Sequence, residues 1–574
     1  MNRLTGKPSV DRPWMEYYPP EFANLKVPEC TLNEYVRNSC PGMEVPAMHY
    51  YGTDITWEEM LKETETVAKA LKALGFGIGS QIPVFFHSVP QFISMLLAAE
   101  KIGASLVCRD NTIEENAEAV AKTGSKIIFA HDYLSQEDMD VYVEDAGVEK
   151  VILLSPYCRT DKKNIPDHIV QNIESLYSGD AISENLTMSW EDFLSLADDY
   201  NGEVDAPADI HRPLYRAYTS GSTGTSKQVI HSAHTMLGII YQMAPYGAAG
   251  DFRPSWLLTC LPPCLVAVVV SMILSPLTSN KYLILDPYCD VNDVDLEIMR
   301  YKPNLWPLIP MFFEVLMQSE RVPKDYDLSH LLAAGAGCEA YNNGQLARSQ
   351  KFLEEHNCHI TFTAAYGQSE AGSNCTFPCP PQFKYGNGNI GIPMPLSNMS
   401  IFKPGTTEEL GYNELGEICK TGPGNMLGYD NEEATAKALI RHEDGNVWLH
   451  TGDIGYVTEE GIFHVLTRGN SLRFDGGRLI ALTMENRIID AQIDGIVDAF
   501  FVIAPDTDHK GYFLPYLYVV LEDGYTIDDI REDAINALEV HECPVEIIQL
   551  PERPFFHFKT NRIGLTNQLM AAAN

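Results

Sequence analysis

Strand-like and helix-like patterns alternate along roughly the first 460 residues, and this alternation limits the fold more than any single motif does. Glu58 to Leu74 carries apolar residues at helical spacing (Leu61, Val67, Leu71, Leu74), and Gln91 to Lys101 reads as a buried helix. Ile127–Phe129, Val151–Leu154 and Tyr282–Leu285 are short apolar runs of the kind that form buried strands. The pattern predicts an α/β protein whose sheets are covered on both faces by helices. Gly75 to Gly79 follows a helix rather than a strand, so it reads as a helix-ending turn and not as a dinucleotide fingerprint. Arg159 to Asn185 reads as a polar surface excursion. After Gly391 the runs shorten, as at Ser400–Phe402 and Gly416–Lys420, which predicts a small β-subdomain over about 391–469. Residues 470–574 read as a separate small α+β unit following an N-terminal domain of 1–469. Its helices are expected over Met484–Ile493 and Ile527–Leu538, and its strands at Val497–Val502 and Tyr516–Leu521.

One run in this frame carries chemistry by itself: Tyr218-Thr-Ser-Gly-Ser-Thr-Gly-Thr-Ser-Lys227. Gly221 and Gly224 let the backbone approach a polyanion. Thr219, Ser220, Ser222 and Thr223 supply hydroxyl donors, and Lys227 adds a point charge. A Gly/Ser linker has similar composition, but linkers rarely begin on an aromatic residue and end on a single lysine. A Walker A loop needs Gly before the lysine and Ser or Thr after it, whereas Ser226 and Gln228 flank Lys227.

The run resembles the signature loop of the acyl-adenylate-forming superfamily, which includes acyl-CoA synthetases, adenylation domains and luciferases. Four further segments fit that resemblance in order. Tyr366-Gly367-Gln-Ser369-Glu370 is similar to the family's Tyr-Gly-x-Thr-Glu and follows the strand-like Ile360–Thr363. The resemblance implies that Tyr366 stacks on adenine, Ser369 touches the α-phosphate and Glu370 helps hold Mg²⁺, a cation that takes hard oxygen ligands. Thr451-Gly-Asp453 resembles the segment whose aspartate accepts from both ribose hydroxyls, and Arg468 falls where the family has a second ribose contact. Phe558-Lys559-Thr-Asn-Arg562 resembles Gly-Lys-x-x-Arg, which makes Lys559 the implied catalytic lysine. Phe558 stands where the family has glycine, and the span from Leu550 to Lys559 is about two residues longer than usual. Ala334-Gly335-Ala336-Gly337 resembles the segment flanking adenine and the acyl site. The resemblance also implies that the C-terminal unit turns between two poses about Asn470, with Gly476 and Gly477 near the pantetheine arm of CoA.

Composition narrows the partners. Acidic residues outnumber basic ones 78 to 41, for a formal net charge of −37, which argues against nucleic acid or an anionic membrane. Binding ATP in such a protein requires Lys227, Arg468, Lys559 and Mg²⁺ to be concentrated at one site. The thirteen cysteines lack framework spacing; with no signal peptide in Met1–Lys7, free thiols in a reducing cytoplasm are expected. The uncharged run Trp256–Leu277 is broken by Pro262-Pro263, and Leu265–Leu274 is too short to span a membrane, so a buried strand, turn and helix is expected.

No aspartate lies between Trp256 and Ile284, where amino-acid-activating relatives pair the substrate ammonium. Leu265, Val266 and Val269 instead predict an apolar acyl wall suited to a neutral aliphatic or aromatic acid. Three functions stay open at this point. One is an AMP-forming acid–CoA ligase using ATP, Mg²⁺ and CoA; another is a stand-alone adenylation enzyme loading a carrier protein; the third is a non-catalytic paralogue that binds nucleotide or acyl-adenylate as a sensor.

Overall fold

Local signals start the elements where periodicity places them. The first long helix occupies Trp57–Ala73 and begins at a capping box. The Thr56 hydroxyl accepts the Glu59 N–H at 3.2 Å, and the Glu59 carboxylate accepts the Thr56 N–H at 2.8 Å. The expected buried helix spans Pro90–Ile102, with Pro at its start and Gly103 in the left-handed conformation at its end. The computed structural model describes residues 4–20, 22, 25–177, 179–219, 226–243, 252–307, 309–469, 471–556 and 558–573. Ser220, Gly221, Ser222, Thr223, Gly224 and Asn470 lie outside the described residues.

Two largely parallel sheets form the main body. The larger has eight strands, with Pro213–Tyr218, Ser105–Cys108, Gln81–Phe85, Ile127–His131, Lys150–Leu154 and Thr187–Ser189 parallel in that spatial order. Gln228–Ser232 adds antiparallel to Pro213–Tyr218, and Gly428–Tyr429 extends that edge. The second sheet orders Ser255–Thr259, Tyr282–Asp286, Pro46–Tyr50 and Thr53–Thr56. One large apolar core containing Leu97, Phe129, Trp190, Ile239 and Leu283 joins these layers. A seven-strand antiparallel sheet between Thr376 and Arg468 has its own core around Ile392, Ile418, Leu449 and Phe463. A third core, with Met484, Phe501, Leu517 and Ile530, lies under a three-stranded sheet of Ile496–Pro505, Phe513–Leu521 and Glu546–Gln549.

Three expectations need adjustment. The stretch Arg159–Asn185 is not purely a surface excursion: it contains the helix Asp167–Ser175, whose Ile169 and Ile173 are fully buried. Its polar composition hid a two-residue apolar stripe at i, i+4. The helix expected over Met484–Ile493 runs from Ala481 to Asp490. In the Trp256–Leu277 run, a strand Ser255–Thr259 precedes a π-helical stretch Val268–Leu274. None of the described helices is long and apolar enough to cross a membrane.

Ala334–Ala336 and Phe362–Ala364 form a separate parallel pair beside the main sheets. A Cβ on Gly335 would meet the Thr363 carbonyl oxygen and Oγ1 at 2.5 Å, so only glycine permits this approach. Gly335→Ala is expected to part the two strands and cost about 1–3 kcal/mol by overpacking. Urea unfolding with an unchanged midpoint would show the pair yields freely.

Candidate active site

The ends of the hydroxyl-rich run are pinned together. Thr219 N–H donates to the Lys227 carbonyl at 2.9 Å, Lys227 N–H donates to Thr219 Oγ1 at 3.2 Å, and Ser226 Oγ donates to the Thr219 carbonyl at 2.7 Å. These bonds extend the pairing of strand Pro213–Tyr218 with antiparallel Gln228–Ser232 as far as Thr219 and Lys227. Lys227 Nζ sits 5.1 Å from the Tyr429 ring centroid, and the Tyr429 hydroxyl donates to Glu370 Oε1 at 2.7 Å. Burial first, and then the Glu370 charge, hold the Tyr429 phenol protonated. Lys227 and Glu370 thus both meet Tyr429, one at its ring and the other at its hydroxyl.

Glu370 lies in the 3₁₀ turn Ser369–Ala371, next to the short strand pair Gly367–Gln368 and Ser373–Asn374. Gly367 allows this pairing, since a Cβ there would meet the Ser373 carbonyl oxygen at 2.1 Å. His231 fixes the turn from below: its Nε2 lies 2.8 Å from the Ser369 carbonyl and its Nδ1 3.1 Å from Thr235 Oγ1. Burial pushes His231 down to about 4 from an ordinary 6.5, so it is a neutral donor to Ser369.

The third component comes from the antiparallel sheet. In the ladder between Val447–Val457 and Phe463–Arg468, Asp453 is directly opposite Arg468. Asp453 Oδ1 lies 4.0 Å from Arg468 Nε, and Asp453 Oδ2 accepts the Tyr366 hydroxyl at 2.6 Å. Burial raises the Asp453 pKa above its ordinary value, while Arg468, Tyr366 and the more remote Lys559 ammonium pull the other way. Tyr366 is itself held protonated by burial and then by Asp453.

Sequence reasoning missed the support beneath Thr451-Gly-Asp453. Glu417 Oε1 accepts the Gly452 N–H at 3.0 Å, and Glu417 Oε2 lies 3.0 Å from His450 Nδ1. His450 Nε2 faces His442 Nε2 at 2.9 Å. One of two such facing nitrogens must donate and the other accept, so only one carries a proton, an assignment made from geometry. Burial raises the Glu417 carboxyl, but His450 and the Gly452 and Gly405 N–H groups outweigh it and keep the group below the usual range. Glu417, Cys419 and His450 also place ligand atoms within 4.8 Å of one another. The bonds to Gly452, His450 and Gly405 already occupy both Glu417 oxygens, so the cluster reads as a brace for the turn rather than a metal seat.

Lys559 reaches this region from the far end of the chain. Its ammonium acts on both Asp453 and Cys338, and the Thr560 N–H next to it donates to Glu339 Oε2 at 2.9 Å. Thus Lys227, Tyr366, Ser369, Glu370, Asp453, Arg468 and Lys559 converge, with Ala334, Gly335, Ala336 and Gly337 leading into the Glu339 contact.

The acyl wall needs correction. Val266 and Val269 are 0% exposed and belong to the packed core, so they present no surface to a ligand; Leu265 is half-buried. An unbroken apolar run gives no sign of which residues face inward. In the adjoining π-helical segment the buried Ser271 donates to the buried Ser373 Oγ at 2.7 Å, while Ser373 Oγ donates to Asn374 Oδ1 at 2.8 Å, so these hydroxyls satisfy one another inside the packing. Gly476 and Gly477 have a structural reason of their own. Gly476 has φ +90°, and a Cβ on Gly477 would meet His541 Cβ at 2.4 Å.

With this geometry in view, residues 38–430 match the family described as AMP-binding enzyme. The chain belongs to that family. The match ends before Asp453 and Arg468, which are tied to the site by contacts with Tyr366 and with each other, and before Lys559, whose charge bears on Asp453. Among relatives, the acyl-CoA ligase SID4 of Ajellomyces capsulatus is 24% identical over 536 residues, covering 90% of this chain and 86% of its own. The 4-coumarate–CoA ligase 3 of Oryza sativa subsp. japonica is 24% identical, with 84% and 81% covered. Among solved structures, ATP-bound MatB from Rhodopseudomonas palustris superposes with a TM-score of 0.73 at 18% identity, covering 95% of this chain and 100% of that one. The anthranilate CoA ligase AuaEII with anthranoyl-AMP gives 0.75 at 16% identity, with 96% and 100% covered. At those identities the structures establish the fold alone.

The neutral His231 makes a pH prediction. Its folded pKa lies below its unfolded one, so the unfolded chain takes up the proton first as pH falls. Stability present above pH 6.5 should decline between about 6.5 and about 4, by up to about 3 kcal/mol. His231→Gln, which cannot titrate, should flatten that slope in denaturant unfolding across the interval; an identical slope would exclude His231 as its source.

Proposed function

We propose that this AMP-binding family member is an AMP-forming acid–CoA ligase acting on a neutral aliphatic or aromatic carboxylic acid. The observation that carries the reading is the convergence on one site of Lys227, Glu370, Asp453 with Arg468, and Lys559, drawn from four separated parts of the chain. A carboxylate is a poor acyl donor because oxide would have to leave. Its oxygen attacks the α-phosphorus of ATP, pyrophosphate departs, and the resulting acyl-AMP gives its acyl group to the CoA thiol with AMP leaving.

The residues divide the work by chemistry. The run from Thr219 to Lys227 cradles phosphate oxygens through hydroxyls, N–H groups and one ammonium. Asp453 accepts ribose hydroxyls, Arg468 adds a further ribose contact, and the Tyr366 ring flanks adenine. Ser369 donates to the α-phosphate, while Lys559 neutralises charge between carboxylate and α-phosphate. Tyr429 occupies one Glu370 oxygen, leaving the other suited to Mg²⁺. A bound Mg²⁺ supplies charge neutralisation on the phosphates; positioning by the chain's own groups supplies the rest.

The C-terminal unit from about residue 470 is read as a lid turning about Asn470 between the two half-reactions, with Gly476 and Gly477 near the CoA arm. The half-buried Leu265, and the absence of an aspartate between Trp256 and Ile284, favour a neutral acid over an amino acid. A free carrier protein as thiol acceptor is the competing reading.

The test mixes the purified chain, Mg·ATP and benzoate, 4-coumarate or octanoate, with and without CoA. Thioester formation is expected; pyrophosphate release with no CoA thioester would favour a carrier protein, and no turnover on any acid would reject the reading. Lys559→Ala should lower adenylation by about 10²-fold or more while AMP still binds, and unchanged turnover would show that another lysine acts. Asp453→Asn should weaken AMP by roughly ten- to a hundredfold, the scale of hydrogen bonds to a charged acceptor. Because burial raises Asp453, AMP affinity of the wild type should fall on acidification above the usual aspartate range, a dependence the Asn variant lacks.

A further inference from the structure

The residues around Lys559 form a fastening that its catalytic task does not require. Phe555–Phe556 and Lys559–Thr560 pair as a small antiparallel ribbon, a hairpin that carries Lys559. Phe558, in the bend of that ribbon, has φ +63°, the left-handed region that bulky residues avoid. Its ring packs edge-on against Phe312 at 6.0 Å, against the main core rather than the C-terminal one. Two positions on, the Thr560 N–H and Oγ1 donate to Glu339 Oε2 at 2.9 and 3.0 Å. Arg562 pairs with Glu339 and, at 3.0 Å, with Glu485. Arg553 reaches Thr560 Oγ1 at 3.3 Å while forming a bidentate pair with Asp498 at 2.7 and 2.9 Å.

We propose that Phe558 and Glu339 are positioning residues that latch the Lys559 hairpin onto the main body and so hold the chain in its acid-activating pose. Phe558 supplies the anchor, since its ring leaves the hairpin for the surface beside Phe312. Glu339 supplies the register, because its largely buried carboxylate is met by two donors of Thr560 and by the Arg562 guanidinium. A residue is held in left-handed strain only where its surroundings determine it, and here the aromatic anchor and the clamp do so. The inference rests on the ligase reading insofar as Lys559 is the group being positioned.

Amide hydrogen exchange of the 555–562 segment reads the latch without any substrate. Wild type should protect the Thr560 amide. Phe558→Ala, which keeps the strain and loses the ring, should speed its exchange by about tenfold or more. Phe558→Gly, which loses the ring but relieves the strain, should open less than Phe558→Ala. Glu339→Gln, nearly isosteric, should also speed exchange. In parallel, pyrophosphate exchange is measured with whichever of benzoate, 4-coumarate or octanoate turns over fastest, together with CoA transfer from its synthetic acyl-AMP. Adenylation should fall about tenfold in these variants while transfer holds or rises. Unchanged exchange in Phe558→Ala and Glu339→Gln, or Phe558→Gly opening further than Phe558→Ala, overturns the latch. Faster exchange with both half-reactions reduced alike overturns the positioning role. A wild type that activates none of the acids defeats the ligase reading instead, and hydrogen exchange still decides the latch.

Discussion

The register of one antiparallel hairpin governs the site. Asp453 faces Arg468 across the ladder of Val447–Val457 and Phe463–Arg468. A slip of one residue would send the two side chains to opposite faces of the sheet. Asp453 is only 8% exposed, so its charge depends on having a cation and a hydroxyl in reach. In a chain with a formal net charge of −37, an uncompensated carboxylate there would add to a field that already repels nucleotide. Correct register turns it into an oriented acceptor. The brace of Glu417, His450 and His442 beneath Gly452 guards the same turn from its buried side.

Much of the frame was legible from periodicity. Ile127–His131, Lys150–Leu154 and Tyr282–Asp286 are apolar runs buried between layers, and such runs have few alternatives to a strand. The segments proposed to bind nucleotide were legible as ordered motifs, each weak alone. Harder to see were the single polar residues that hold them. His231 lies within the strand Gln228–Ser232, and its partner Ser369 is 138 positions away. Glu339 meets Thr560 across 221 positions. A solitary buried polar residue leaves no periodic trace, and its role becomes visible only when the fold brings its partner. Val266 and Val269 were misassigned for the converse reason: within a continuous apolar run, packing and not pattern decides which side meets a cavity.

Phe558 shows local preference and global need in conflict, and the conflict has a use. A left-handed non-glycine residue costs about 1–2 kcal/mol. That cost offsets part of what the ring gains by packing beside Phe312, so the docked hairpin is held less firmly than its contacts alone imply. On the ligase reading proposed above, a lid that delivers Lys559 and then withdraws it would need docked and free states separated by only a few kcal/mol. Glycine at this position would make the turn easily but leave nothing to grip the main body. An aromatic residue in a relaxed turn would grip without an opposing term. Placing the ring on the strained residue combines anchor and release in one side chain. The Glu339 clamp then decides the register in which the lysine arrives, because two donors of Thr560 and one guanidinium can meet a single carboxylate in few other ways.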